Sequence, residues 1–206
     1  MSVGTTERAQ DTRDRILDAA CDLIASEGID EVRIARVAQR AGASTALVHH
    51  YFSTREELLE QALMHSFDLA GEQRFGDDPA TVGAPTERLA YVIRSCLPEP
   101  GVQEREWVLW VELWLRAVRE PNFQPVAARL YARYRAWIED VIRAGVEAGE
   151  FTAPDPGAVA DHAMALLDGV GIRALLRDPT MSLTDARAFV ADRIAAELGI
   201  DAATLP

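Results

Sequence analysis

The chain has 206 residues, of which 49% are hydrophobic and 26% are charged, and its formal net charge is −12. This balance is typical of a globular protein, and the length allows one sizeable core or a small domain attached to a larger one. Arg, Asp or Glu interrupts every apolar run within a few residues, so no transmembrane helix and no membrane partner are predicted. Because no charged-then-apolar leader opens the sequence, we expect a cytoplasmic protein.

The negative charge lies almost entirely in the C-terminal part of the chain. Residues 1–55 hold 7 arginines and 8 acidic residues, whereas residues 56–206 hold 14 arginines and 25 acidic residues, and the chain contains no lysine. An acidic body repels DNA. A DNA-binding role would therefore depend on a few well-placed arginines in the N-terminal part and on the N-termini of helices.

The segment from Val32 to Leu59 has the pattern of a helix, a tight turn, a short second helix and a capped third helix. Gly42 can adopt the positive φ that ends the first of these helices at low steric cost. Ser44 is placed to cap the second helix, because its hydroxyl can accept from the backbone N–H of Ala46 or Leu47. This spacing predicts a helix-turn-helix, in which the second helix enters the major groove of DNA.

The second helix of this segment is expected to dock its apolar side inward and to present the opposite side to DNA. Thr45 can hydrogen-bond a base edge, and both Thr45 and Ala46 can pack on a thymine methyl group. The residues around them are expected to position the protein on phosphates. The predicted DNA-binding residues are Arg33, Arg36, Ser44, Thr45, Ala46, His49, His50, Tyr51 and Arg55.

Three stretches resemble the DNA-binding domain of the tetracycline-repressor (TetR) family: residues 13–30 (RDRILDAACDLIASEGID), 41–44 (AGAS) and 51–58 (YFSTREEL). The resemblance implies a homodimeric transcriptional repressor that binds a palindromic operator. It also implies that the C-terminal domain dimerises and holds a small-molecule inducer. The chain departs from the usual family pattern at His49, where a Tyr is common, and at Arg55, where a Lys is common.

The whole chain is predicted to be all-α, with about nine helices counted from caps and breaks. The first helix is predicted from about residue 12 to residue 27, and a capping box of Ser53 and Glu56 is predicted to begin the fourth. Residues 76–85 (GDDPATVGAP) form the clearest predicted loop. We assign residues 1–55 to the helix-turn-helix domain and residues 56–206 to a ligand-sensing and dimerisation domain.

Three of the four tryptophans lie on one stripe of a predicted helix, and such a stripe could cage a quaternary or protonated amine by cation–π attraction. Segments within residues 105–190, among them WVLWVELWLRAVREP and LLDGVGIRALLRDPTMSLTDAR, resemble the choline-responsive betaine-gene repressors. This favours an amine such as choline or a polyamine, although a flat aromatic ligand, or tryptophans that serve only the core, remain alternatives. The predicted ligand-binding residues are Leu63, Phe67, Trp107, Trp110, Trp114, Tyr134 and Asp168.

The helix that follows Asp155-Pro156 is apolar nearly all round, so it must be buried on both sides. We expect one side to pack on the chain's own core and the other on a second copy of the chain. The predicted dimer-interface residues are Val159, Ala163, Leu166, Val170, Phe189 and Ile194.

An enzymatic role is not expected. His49 and His50 are adjacent, so on a helix they diverge by about 100° and cannot chelate one metal ion. The sequence also has no Gly-rich phosphate loop and no nucleophile elbow, and we predict neither a cofactor nor a metal. A DNA-binding dimer without an inducer, controlled by a partner protein or by abundance, remains the alternative; a cavity lined by the tryptophans and Phe67 would favour the inducer.

Overall fold

A computed structural model describes the backbone of residues 3–75 and 83–205 and the side chains of residues 10–67 and 83–205. The described residues form nine α-helices and no strand, which confirms the all-α prediction. Residues 76–82 of the predicted loop lie outside this part of the chain. None of the described helices is both long and apolar enough to cross a membrane. The helices are α1 Val3–Glu27, α2 Ile34–Ala41, α3 Thr45–Tyr51, α4 Arg55–Phe75, α5 Pro85–Ser95, α6 Val102–Arg119, α7 Gln124–Glu147, α8 Pro156–Leu175 and α9 Leu183–Leu198.

The chain divides into two compact units. The first contains residues 1–70 together with 108–127, and the second contains residues 71–107 together with 128–206. Helix α6 therefore contributes its first turns to the second unit and the rest of its length to the first. The units are defined by compactness and not by function, so the functional boundary between residues 55 and 56 stays a prediction.

Two helix boundaries differ from the sequence-based prediction. Helix α1 begins at Val3 instead of near residue 12, because the segment before residue 12 contains no proline to stop a helix. Helix α4 is capped one residue later than predicted: the Glu57 N–H donates to Thr54 Oγ1 at 3.0 Å, and Glu57 Oε2 accepts from the Ser53 N–H at 2.8 Å. The Ser and Thr hydroxyls at 53 and 54 are chemically equivalent as caps, so sequence alone did not separate them.

In the first unit, α1 packs against α2, and α2 packs against α3. The side chains that fill this core are apolar and fully or nearly fully buried. Apolar burial of this kind supplies most of the stability of a small helical domain. We call α1 to α4 the head of the protein, and each of these helices contributes to the core. The core residues are Ile16, Leu17, Ala20 and Ile24 of α1, Val37 and Ala38 of α2, Val48 of α3, and Leu58, Leu59 and Ala62 of α4.

In the second unit, α8 packs against α9, and two glycines permit close approaches. A Cβ at Gly171 of α8 would overlap the ring of Trp107, and a Cβ at Gly145 of α7 would overlap the ring of Phe151. Trp107 is nearly fully buried at this contact. Gly171 therefore allows α8 to pack closely on Trp107 of α6.

The packing of α8 and α9 bears on the predicted dimer interface, which stays a prediction. Val159, Ala163, Val170 and Ile194 are at most 6% exposed within the single chain, so they offer little surface to a second copy. The apolar period of α8 predicts a buried face, and this face packs on the chain's own core. Leu166, which is half-buried, and Phe189, which is 37% exposed, are the members of the predicted set that remain accessible.

Candidate functional site

The helix-turn-helix forms by the local devices that the sequence predicts. Gly42 has φ +63° and ends α2 in the left-handed region, and the Ala43 N–H donates to the carbonyl of Ala38 at 2.9 Å. Ser44 then caps α3, since its hydroxyl accepts from the Leu47 N–H at 3.1 Å. The three residues between α2 and α3 thus set the angle at which α3 leaves the turn.

Helix α3 presents a polar surface to solvent. Thr45, Ala46, His49 and His50 are exposed, whereas Val48 on the opposite side is fully buried. This arrangement agrees with the side of α3 that was predicted to face DNA. The individual contacts to bases and phosphates stay predictions.

Tyr51 closes α3 and is half-buried. Its ring lies edge-on to His50 with ring centroids 5.3 Å apart, and it also contacts Phe52, which is fully buried. The aromatic contacts fix the direction of the Tyr51 side chain at the end of α3. A hydroxyl held in this way is suited to contact a DNA phosphate without a large loss of side-chain entropy.

The two predicted DNA-binding arginines near α2 differ in their partners. Arg33 is exposed and makes no side-chain hydrogen bond or ion pair with any residue that the structure describes. Arg36 forms a bidentate pair with Glu27, with Nη1–Oε2 and Nη2–Oε1 distances of 2.5 and 2.6 Å. This hydrogen bonding raises the pKa of Arg36 and lowers the pKa of Glu27. A phosphate would therefore compete with Glu27 for Arg36 but would meet no such competitor at Arg33.

Arg55 is engaged within the protein. Its Nε–H donates to the carbonyl of Val32 and its Nη2 donates to the carbonyl of Ile29, both at 2.6 Å. Arg55 lies in the first turn of α4 and reaches the 3₁₀ segment Ile29–Glu31, which we call the α1–α2 turn. These contacts brace the turn, and the contact of Arg55 with a DNA phosphate stays a prediction.

The C-terminal part of α6 holds the α1–α2 turn from a second direction. The carboxylate of Glu112 accepts from the backbone N–H of Ile29, and burial raises the pKa of Glu112. Arg116 Nη2 pairs with Asp30 Oδ1 at 2.5 Å, and its Nη1 pairs with Glu120. We call Arg55, Glu112 and Arg116 the turn clamp. Through this clamp, α4 and α6 together determine the position of the turn that leads into α2.

The predicted ligand-binding residues divide between the two units. In the first unit, Leu63 and Phe67 are buried. The Phe67 and Trp110 ring centroids are 4.5 Å apart, and those of Trp110 and Trp114 are 6.1 Å apart. The aromatic stripe thus forms one contiguous cluster between α4 and α6. Whether a ligand contacts this cluster stays a prediction.

In the second unit, Asp168 of α8 is joined to α7. Its Oδ2 accepts from the hydroxyl of Tyr131 at 2.8 Å, and burial raises its pKa despite that hydrogen bond. Trp107 packs on Gly171, one helical turn after Asp168, and its Nε1–H donates to the carbonyl of Cys96 at 3.2 Å. Helices α7 and α8 therefore meet at a half-buried carboxyl group, and α6 packs on α8 at Gly171.

Sequence reasoning named Tyr134 on α7 but missed Tyr131, the partner of Asp168. Tyr131, Tyr134 and Trp137 follow one another at three-residue spacing on α7, and the Tyr134 and Trp137 rings lie edge-on with centroids 6.3 Å apart. Tyr91 of α5 is also edge-on to Trp137. The spacing on α7 is visible in the sequence and indicates a common face. The partner of that face is not visible there, because the pairing of Tyr131 with Asp168 is long-range.

Within the described residues, no group of three or more His, Cys, Asp and Glu side chains is arranged to hold a metal ion. His65 of α4 instead contacts Asp18 of α1, with Nε2 and Oδ1 3.2 Å apart. His162 of α8 contacts Glu197 of α9, with Nδ1 and Oε2 2.8 Å apart. Both histidines therefore join pairs of helices in their own units.

Comparison with known protein families agrees with this geometry in both parts of the chain. The model of bacterial regulatory proteins of the tetR family matches residues 16–62, which include the helix-turn-helix. The model of the C-terminal domain of BetI-type transcriptional repressors matches residues 85–199, more than half of the chain. The chain belongs to the TetR family. It is a DNA-binding transcriptional repressor of the BetI type, and ligand-responsive repression is consistent with that membership.

Individual relatives of this TetR-family repressor match over almost the whole chain. The HTH-type transcriptional regulator BetI of Rhizobium meliloti (strain 1021) is 28% identical over 190 residues, which are 90% of this chain and 89% of that protein. A candidate transcriptional regulator from Saccharomonospora viridis, crystallised in complex with choline, is 30% identical with a TM-score of 0.81 and covers 92% of this chain and 98% of its own. A candidate TetR-family regulator from Rhodococcus sp. is 29% identical with a TM-score of 0.78, and the match covers 92% of this chain and 99% of that protein.

The contrast between Arg55 and Arg33 generates a prediction about the repressor's head. Arg55→Gln removes two charge-assisted hydrogen bonds to backbone carbonyls, so we expect it to lower the free energy of unfolding by about 1–3 kcal/mol in urea titrations followed by circular dichroism. Arg33→Gln is the matched control. It should change stability by less than about 0.5 kcal/mol and weaken DNA binding at all sequences. Equal stability of the two variants, with equal loss of DNA affinity, would show that Arg55 contacts phosphate after all.

Proposed function

We propose that the protein is a homodimeric repressor, and not an enzyme, that reads a palindromic operator through α3 and leaves it when a small cationic amine binds in the C-terminal domain. The single observation that supports operator reading best is the exposed surface of α3, which carries Thr45 and Ala46 on a helix fixed by its Ser44 cap and by the buried Val48. A short helix held in this way enters a major groove as a rigid element.

Base reading is assigned to the N-terminal half of α3. Thr45 offers a hydroxyl and a methyl group, and Ala46 offers a methyl group, so both can recognise thymine. Tyr51, His49 and His50 at the end of the helix, with Arg33 before α2, are assigned to phosphates. This division separates the residues that specify the sequence from those that only position the head.

The operator experiment uses the full-length protein and the DNA upstream of its own gene. Fluorescence anisotropy at two salt concentrations, with an unrelated duplex as control, should give a preference of about 10³ or more for the operator. If the upstream DNA shows no preference, sites are selected from random duplexes. Failure to select any site would contradict operator reading by this head.

Two substitutions then test the division of roles. Thr45→Ala should change the preferred base at one position in each half-site. The difference in binding free energy between the preferred base and the others at that position should fall by about 1–3 kcal/mol. Tyr51→Ala should weaken operator and unrelated DNA by the same factor, because phosphates are alike in both. The measurement is anisotropy against a set of duplexes that differ by single base pairs. The same change of preference in both variants would refute the assignment.

Dimerisation is assigned to the exposed faces of α8 and α9. Phe189 is 37% exposed and Leu176 is 73% exposed. Leu166, which is half-buried, and Gly169, around which an added Cβ would find nothing within 4 Å, lie on α8. Exposed apolar side chains and small residues on the same pair of helices suit close packing against a second copy. Two heads in one dimer double the DNA contact and select for half-site spacing.

We expect Phe189→Asp to convert the dimer into a monomer, because the substitution replaces an apolar ring in the assigned interface by a carboxylate that would have to lose its hydration there. The matched control is Val118→Asp, which changes an apolar residue that is 83% exposed on α6 and lies outside the assigned interface. Sedimentation equilibrium should show a monomer for the first variant and a dimer for the second. Operator affinity should fall only in the first variant. A dimeric Phe189→Asp protein with normal affinity would place the interface elsewhere.

The ligand assignment rests on Asp168. Its carboxyl group is half-buried, and Tyr131 is its hydrogen-bond partner within the described part of the chain. Burying an unneutralised carboxylate is costly, and a bound cation would remove that cost. Trp107 and Tyr134 lie on the neighbouring helices and can offer aromatic faces to the same cation. The choline that accompanies the Saccharomonospora viridis relative supports a ligand of this class.

Release from DNA is assigned to α6, which is one continuous helix from Trp107 to the turn clamp. A ligand that favours one position of Trp107 also favours one position of Glu112 and Arg116 along the same helix. The α1–α2 turn, and with it α2 and α3, would then be less well placed for two successive grooves. The ligand needs only a differential affinity of a few kcal/mol between the two states to shift the population.

The amine assignment predicts a defined pH dependence. Choline affinity, measured by isothermal titration calorimetry, should decrease as the pH is lowered, and the decrease should begin at a higher pH than an ordinary Asp would give, because burial raises the pKa of Asp168. Asp168→Asn should bind choline about tenfold more weakly, without this decrease at low pH. Asp140→Asn, at an exposed position of α7, is the control and should behave as the unmodified protein. Tight binding of a flat, uncharged aromatic compound by both variants would instead favour that ligand class.

A further inference from the structure

A cleft of about 520 Å³ lies in the second unit between α5, α6, α9 and the segment that joins α5 to α6. Arg94 of α5 and Arg187 of α9 contribute guanidinium groups to its wall. Tyr91 and Val102 contribute aromatic and aliphatic surface, and Val102 is 63% exposed. The cleft therefore combines cationic donors with apolar walls. It is lined by residues other than those assigned above to DNA, to the dimer or to the amine.

The two arginines retain donors that the protein does not use. Arg94 is exposed and has no ion pair or side-chain hydrogen bond with the described residues. Arg187 pairs with Glu99 through Nη2, whereas its Nε is buried and has no hydrogen-bond partner in the described part of the structure. A covered guanidinium N–H without an acceptor is unfavourable, because it has lost its hydrogen bonds to water. A ligand oxygen would reach this N–H after a rotation of the Arg187 side chain, whereas the exposed Arg94 is directly accessible.

We propose that this cleft binds a small organic carboxylate, with its oxygens held by Arg94 and Arg187 and its hydrocarbon part against Tyr91 and Val102. Guanidinium groups match the geometry of a carboxylate, which can accept from two N–H groups at once. The two guanidinium groups distinguish this cleft from the amine site proposed around Asp168. The inference does not depend on the proposed inducer.

Glu99 and the buried Glu106 restrict which anions fit. Glu106 is only 8% exposed at the wall of the cleft, and Glu99 already neutralises part of Arg187. Two carboxylates in the wall disfavour a ligand with several negative charges. A monocarboxylate adds one negative charge and can share Arg187 with Glu99. The expected class is therefore a monocarboxylate with an aromatic or short aliphatic body.

The experiment titrates the full-length protein with sodium benzoate and sodium hexanoate by isothermal titration calorimetry, with benzyl alcohol as the uncharged analogue. We expect at least one of the carboxylates to bind and benzyl alcohol to bind at least about tenfold more weakly. Arg94→Gln and Arg187→Gln should each weaken carboxylate binding about tenfold. Arg94→Gln breaks no ion pair, so its effect does not arise from misfolding, and thermal unfolding of each variant checks the fold.

The matched control is Arg143→Gln, which removes an exposed arginine of α7 that pairs with Glu139 and lies outside the cleft. It should leave carboxylate binding unchanged. Choline titrations of all three variants should match those of the unmodified protein, so failure of the amine proposal and failure of this one are distinguishable. Absence of binding by both carboxylates, or equal binding in Arg94→Gln, Arg187→Gln and the unmodified protein, overturns the proposal.

Discussion

The position of the DNA-reading helices depends on the backbone polar groups of the α1–α2 turn, which are bonded by side chains from two distant helices. Arg55 of α4 donates to the carbonyls of Ile29 and Val32, and Glu112 of α6 accepts from the N–H of Ile29. Charged groups make stronger hydrogen bonds than neutral ones. The turn is thus fixed by long-range charged contacts more than by its own sequence. The positions of α2 and α3 depend on the turn, because both helices follow it in the chain.

The ion pairs and hydrogen bonds of the DNA-binding part also limit its positive charge. Arg36 and Arg55 are engaged by Glu27 and by the turn, so these two arginines are less available to phosphates. In the proposed complex, binding would rely on Tyr51, on the partial positive charge at helix N-termini, and on the pairing of two DNA-binding domains. Such a protein releases few counterions when it binds and should show a shallow salt dependence.

Sequence reasoning succeeded where a feature depends on neighbouring residues and failed where it depends on distant ones. The Gly42 break and the Ser44 cap are local, and both are present as predicted. The carbonyl partners of Arg55 lie more than twenty residues earlier, so its bonds to the turn were not predicted from the residues around it. For Val159 on α8, the apolar period showed that the face is buried, but no periodicity states whether the chain's own core or a second copy covers it.

The turn clamp contains one bond whose formation carries a cost of its own. Glu112 loses hydration in the clamp, which is why burial raises its pKa, and this loss offsets part of what its bond to Ile29 contributes. If this bond opens, the carboxylate regains water while Ile29 loses one partner. In the proposed switch, the ligand would then need only a differential affinity of a few kcal/mol between the two states. A stronger clamp would hold the head firmly but would deny the ligand control over it.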